Sequence, residues 1–243
     1  MSISALIKYC FFLFCISQAA FAQPSTRFSM NFSGGKSLPL YRLATEVFGE
    51  TNGELAGGGV AGQFLVAYYP SKRLGLAGRV SYNLNGTRPE GITNVAAKQY
   101  GVSNTVVELA KNWRSISAMI GPTLRLGGDR LGLEGRLLIG YAQVQSPSFR
   151  VTGVIQNVNV RVETDPSEAS DWAYGAGATL SLGLTKNIAL VANADATLIN
   201  TVFIDVNNTI TTISSSPRTT TVQTNIKQSV GILNLMGGLR FSF

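Results

Sequence analysis

From Gln228 to Phe243 the chain reads QSVGILNLMGGLRFSF. Leu233, Leu235, Gly237, Leu239, Phe241 and Phe243 share one parity, and Asn234, Met236, Gly238, Arg240 and Ser242 the other. A repeat of two is the period of a β-strand, and one oily face with one polar or small face describes a strand between two different solvents. The same alternation recurs upstream. Arg27 to Ser33 sets Phe28, Met30 and Phe32 against Ser29, Asn31 and Ser33. Gly57 to Tyr69 places Val60, Phe64, Val66 and Tyr68 on one face, and Leu74 to Asn85 opposes Leu74, Leu76, Val80, Tyr82 and Leu84 to Arg79, Ser81 and Asn83. Trp113 to Leu126 carries Ile116, Ala118, Ile120, Leu124 and Leu126 outward. Trp113 falls on the other parity, which predicts a bulge or a strand start just after it. Pro122 cannot donate to a ladder and weakens this strand locally. Leu131 to Val144, Asp171 to Leu184 and Ile188 to Leu198 complete the set.

The connections alternate in length. Gly34–Ala56, Gly86–Asn112, Gln145–Ser170 and Ile199–Lys227 are long, whereas Pro70–Arg73, Gly127–Arg130 and Thr185–Asn187 are tight turns. This rhythm predicts an all-β fold: a transmembrane antiparallel up-and-down β-barrel of about eight strands, with short periplasmic turns and long extracellular loops. The strands are long enough to cross a bilayer when tilted. An open sheet is excluded, because lipid cannot satisfy its edges. Inside the long connections, Leu43 to Phe48 predicts a helical turn and Val95 to Leu109 a short helix. Phe149 to Val162 and Val202 to Ile213 are β-prone and predict hairpins extending beyond the membrane, either as a rigid rim or as an edge for strand addition.

The large aromatics sort to the strand ends. Phe28, Tyr68, Tyr69, Phe241 and Phe243 map to the periplasmic end, and Tyr82, Trp113, Tyr141, Trp172 and Tyr174 to the outer end. Two aromatic girdles are predicted, since an amphipathic ring prefers the membrane interface.

Composition agrees: 45% hydrophobic and only 14% charged residues suit a barrel whose outside meets lipid. Lys8, the short apolar run Tyr9 to Ile16 and the small-x-small stretch Ala20-Phe21-Ala22 predict a cleaved signal peptide over residues 1–22, leaving 23–243 as the barrel domain. Cys10 and Cys15 leave with it, which removes disulfides, thiolate metal sites and a cysteine nucleophile. The chain has no histidine, so Ser-His-Asp and Cys-His catalysis and His-ligated zinc are excluded. No cofactor is expected. Two motif matches are decoys. Gly57 to Gly62 fits G-x-G-x-x-G but opens a strand, and Gly35-Lys36-Ser37 lacks the phosphate-loop glycine that Met30 replaces.

Terminal Phe243 and the strand–turn–loop rhythm resemble the small eight-stranded outer-membrane β-barrel proteins of the OmpA transmembrane domain and OmpX type. The resemblance covers nearly all of 23–243. It implies residence in the bacterial outer membrane after export, contact with its lipid, and reading of Phe243 by the barrel-assembly machinery. It implies fold and location strongly and activity weakly.

The inward set contains Arg79, Arg125, Arg136, Arg240, Glu134 and Asp195. Charges in a narrow lumen need partners, and an eight-stranded barrel is just wide enough for side chains to fill it. The expected result is a network that plugs the lumen, the other reading being a narrow channel or transporter for small solutes. The four long loops carry equal numbers of acidic and basic side chains, so the excess positive charge lies in the barrel and in the turns, at Lys72, Arg73, Arg130 and Lys186. No basic stripe with interleaved aromatics appears, and no nucleic-acid partner is expected. The expected function is a structural or interaction role through the loops, without catalysis, with an extracellular or envelope protein as the partner.

Overall fold

The computed structural model of the chain describes residues 27–40, 56–109, 111–128, 130–155, 158–213 and 217–243. The export segment and the helical turn at Leu43 to Phe48 lie outside the described residues. In chain order the elements are β1 (Phe28–Pro39), β2 (Ala56–Tyr68), β3 (Leu74–Thr87), α1 (Pro89–Tyr100), β4 (Ser103–Leu109), β5 (Trp113–Gly127), β6 (Leu131–Gln145), β7 (Phe149–Ile155), β8 (Val158–Thr164), β9 (Glu168–Gly183), β10 (Ile188–Thr212) and β11 (Thr219–Ser242).

Eight of these strands close on themselves. β1, β2, β3, β5, β6, β9, β10 and β11 pair in that order, every neighbour antiparallel, and β11 returns to β1. Phe32 of β1, for example, faces Leu239 of β11 on one side and Phe64 of β2 on the other. Closure leaves the ring no unpaired edge. Because the side-chain period is two, this register sends one parity of every strand inward and the other outward. The outward parity is the oily one. Leu137 is 65% exposed and Val60 60%, and Leu76, Ile120, Leu180 and Leu190 are exposed beside them. Such a continuous apolar belt far exceeds what a water-facing surface carries. No helix among the described residues is long and apolar enough to cross a membrane.

Several strands outrun their predicted ends. β1 continues past Ser33 to Pro39. The predicted connection Ile199–Lys227 is largely strand, since β10 is 25 residues long and β11 24. At the strand rise per residue β10 spans roughly 80 Å, more than twice a bilayer's hydrocarbon thickness. The upper hairpin carries one irregularity: pairing shifts between Phe203 and Val206, where Asp205 adopts φ 54° and its N–H donates to Asn225 Oδ1 at 3.0 Å. The bulge resets parity, so Phe203 and Val206 are both buried.

Above the ring, β10 pairs with β8, β8 with β7 and β7 with β4. β7 and β8 form the hairpin that the alternation at Phe149 to Val162 predicts. α1 packs against β4 and β7. It spans Pro89–Tyr100, where Pro89 suits the first helical turn and Glu90 complements the helix N-terminus; the helix expected in Val95 to Leu109 thus ends at Tyr100, and Ser103–Leu109 is the strand β4 instead. Ile92, Val102, Val151, Val160 and Val162 make a small core between helix and sheet. β4 is the outer strand of this extension among the described residues.

Two aromatics sit elsewhere than predicted. Trp113 starts β5, with unbroken register beyond it, and points into the barrel at 6% exposure; it is not a girdle residue. Its parity is right for an inward residue, as Ser115, Ser117 and Met119 are buried on the same face. Tyr69 is 1% exposed and also lies inside. Tyr68, Tyr82, Tyr141, Trp172, Tyr174 and Phe243 point outward and are exposed, with Phe28 and Phe241 half-buried near Phe243 and Phe32 respectively.

Candidate functional site

The chemistry-bearing groups of the ring gather in its lumen as two clusters of the same design, a carboxylate shared by two guanidinium groups. In the first, at mid-barrel, Asp195 of β10 is fully buried. Arg136 of β6 reaches it with Nη2 at 2.7 Å from Oδ1 and 2.6 Å from Oδ2, and with Nε at 3.0 Å from Oδ1. Arg79 of β3 donates from Nη1 to Oδ1 at 3.0 Å and from Nη2 to Thr197 Oγ1 at 2.7 Å. Arg136 Nη1 donates to Thr179 Oγ1 at 2.6 Å, and Thr179 in turn bonds Asn193, which also accepts from Asn31 Nδ2. The pair Arg79–Asp195 spans the lumen, because β3 and β10 are not neighbours in the ring.

Space for this cluster is made on β9. A Cβ on Gly177 would overlap the Asp195 carboxylate and Arg136 Nε, and one on Gly175 would press on Met119 and Arg79 Nη2. Both glycines share the inward parity of buried Thr179 and Ser181. Their signal in the sequence is the run Tyr174-Gly175-Ala176-Gly177-Ala178, whose inward parity is bare.

The second cluster lies nearer the short turns. Glu134 of β6 accepts from Arg125 Nε at 2.7 Å, and from Arg240 of β11 through Nη1 at 2.9 Å and Nη2 at 2.7 Å. The Arg125 guanidinium stacks on the Tyr69 ring, 3.9 Å from its centroid. This is why Tyr69 is inside: a flat cation offers its face to an aromatic ring. All six lumen residues named from the sequence thus fall into two groups of three. Each carboxylate is fully engaged, and low-dielectric surroundings make such pairs costly to break.

Toward the loop end the lumen is apolar along β5, β6, β9 and β10, while buried Ser37, Asn83, Asn85, Gln228 and Ser229 line the facing side. Trp113, Met119, Leu138, Ala142, Val144, Ala169, Ala173, Ile199, Phe203 and Val206 are buried there in one cluster. Trp113 and Phe203 meet edge to face, with centroids 6.2 Å apart. Sequence reasoning expected a polar interior throughout and missed this cap. It arises because Leu138, Val144 and Ile199 occupy the inward parity of their strands on the loop side of the ion pairs. The lumen is therefore crossed by ion pairs below and partly filled by apolar side chains above.

The loop-end sheet carries its own charge ladder. Arg150 of β7 bonds Glu163 of β8 at 2.6 Å and Glu108 of β4 at 3.2 Å. These two carboxylates, Glu163 first, hold the Arg150 guanidinium above its ordinary value. Among the described residues no group of three or more Cys, Asp or Glu side chains is arranged to hold a metal ion.

No protein-family model matches the chain, and no curated protein matches it. Solved structures do. Neisserial surface protein A is similar at 12% identity and TM-score 0.45, over 89% of this chain and 97% of that one. OprG of Pseudomonas aeruginosa matches at 11% identity and TM-score 0.45, over 91% and 98%. Ail of Yersinia pestis, solved with the heparin analogue sucrose octasulfate, matches at 14% identity and TM-score 0.40, over 90% and 100%. At these identities the likeness is one of fold alone, and the eight-stranded antiparallel ring follows from this chain's own strand pairing.

Proposed function

We propose that the protein is a non-enzymatic β-barrel of the bacterial outer membrane, closed to solute flow, which acts through the sheet at its loop end. The observation that carries the reading is the obstructed lumen: Arg79–Asp195 spans it, Arg240–Glu134 braces it below, and Trp113 against Phe203 narrows it above. The apolar belt supports burial in lipid, since in water each exposed leucine-sized group costs about 1.5–3 kcal/mol relative to burial. The girdle residues Phe28, Tyr68, Tyr82, Tyr141, Trp172, Tyr174, Phe241 and Phe243 then sit at its two interfaces. In this orientation the short turns face the periplasm and the α1–β4–β7–β8 layer faces outward. Residues 1–22 act as the export signal, and Phe243 is read by the assembly machinery.

With the lumen closed, the outward sheet is the part free to act. β4 offers a backbone edge with Val106 62% exposed, and an extended segment of an envelope or extracellular protein adds there as a further strand. Planar-bilayer recording of the refolded barrel tests closure. The expected record has no stable unit conductance. A steady ohmic pore abolished by changing Arg79 or Arg136 would instead make the protein a narrow channel.

A further inference from the structure

The short-turn end of the barrel carries a ring of like charges held on a rigid frame. Arg27 precedes β1, Lys72 and Arg73 form the β2–β3 turn, Arg130 lies in the β5–β6 turn and Lys186 in the β9–β10 turn. Asp129 is the one acidic side chain in those turns. Arg27, Arg130 and Lys186 are exposed, and Lys72 and Arg73 half-exposed. None of the five makes an ion pair among the described residues. At the loop end, by contrast, the long connections hold as many acidic as basic side chains, and Arg150 bonds two glutamates.

The backbone beneath the ring is locked from strand to strand. The carbonyl of Arg27 accepts from Tyr69 N–H at 2.8 Å, that of Arg73 from Arg125 N–H at 2.7 Å, and that of Arg130 from Gly183 N–H at 2.9 Å. Asn187 joins the rim to Ser242 through both its backbone and its side chain, each at 2.8 Å. Ser71 Oγ and Thr185 Oγ1 accept N–H groups within their own turns and tighten the loops bearing Lys72 and Lys186. The cations are therefore presented at fixed intervals round the rim, so binding an anionic surface orders little chain.

Just above the ring, Phe28, Tyr68, Phe241 and Phe243 lie on the outer face. Aromatic rings prefer the boundary between hydrocarbon and headgroups, which puts the five cations at the depth of lipid phosphates. We propose that this ring binds the anionic phospholipid headgroups of the leaflet it faces, and so fixes the barrel's depth and orientation. The inference rests on the membrane reading above. Each surface cation favours an anionic membrane roughly fivefold, so the ring gives a preference on the order of a hundredfold or more when several act together.

The test refolds the full barrel into mixed phosphatidylcholine–phosphatidylglycerol vesicles and identifies the lipids retained on it by native mass spectrometry. Phosphatidylglycerol enriched over its bulk fraction is expected, with loss of the enrichment at high salt and in Lys72→Gln/Arg73→Gln/Arg130→Gln/Lys186→Gln. The milder Lys72→Gln/Lys186→Gln, which leaves every rim hydrogen bond in place, should lose part of it. Arg150→Gln, at the other end, should keep it. An inserted wild-type barrel with no enrichment, or variants that keep it in full, would overturn the ring proposal alone. A chain that stays soluble and does not float with the vesicles would overturn the membrane reading, and the ring proposal with it.

Discussion

Arg136 and Asp195 come from strands that are not neighbours in the ring, yet Arg136 Nη2 lies within 2.7 Å of both carboxylate oxygens. With Arg79 on the opposite wall reaching the same carboxylate, this one acid ties three sectors of the barrel together.

Replacing Asp195 with Asn leaves two buried guanidinium groups without their anion. The expected loss is about 3–5 kcal/mol of stability. Urea unfolding of the lipid-refolded barrel, followed by the heat-modifiable shift on a gel, measures it. A cost close to that of an exposed pair such as Arg150–Glu163, about 0–1 kcal/mol, would remove Asp195 from its central place.

Gly177→Ala should destabilise the barrel by about 1–3 kcal/mol, because the new methyl group overlaps the Asp195 carboxylate and Arg136 Nε. Gly62→Ala is the matched control. A Cβ there meets nothing within 4 Å, so the change should stay within about 0.5 kcal/mol. Equal costs at the two sites would mean that strand propensity, and not space for the ion pairs, explains the glycine at 177.

The two tryptophans report on the two sides of the wall. Trp172 is 58% exposed on the outer face, and Trp113 is 6% exposed inside. Brominated lipid should quench the fluorescence of Trp113→Phe, in which Trp172 remains, and should hardly touch Trp172→Phe. The reverse order would place Trp113 on the lipid face and open the upper lumen.

Asp205 occupies the left-handed region at φ 54°, where glycine is not strained. Asp205→Gly should leave the tip of the β10–β11 hairpin at least as protected from hydrogen exchange as before. Asp205→Val should increase exchange there, since a β-branched residue is strained at that φ. An equal response to both would show that the bulge does not hold the upper hairpin.

The alternation along the chain was enough to place eight barrel strands, their tight turns and the six lumen charges, because inside and outside differ in solvent and the side-chain period is two. The upper hairpin was less legible. Thr219 to Ile226 mixes Thr, Val, Gln and Asn with no oily face, as both of its sides meet water. For Trp113 the parity was visible, but a tryptophan at a strand end reads equally well as an interface residue or as a cap.

What the chain's order of residues determined by itself was the closed antiparallel ring and which charges face in. What only the tertiary structure decided was who meets whom across the lumen: that Arg79 and Arg136 share Asp195, that Arg125 and Arg240 share Glu134, and that Trp113 packs on Phe203. Alternation is a local property, set by neighbours two residues apart. Pairing across a cavity depends on the stagger of all eight strands at once, and no local period carries that information.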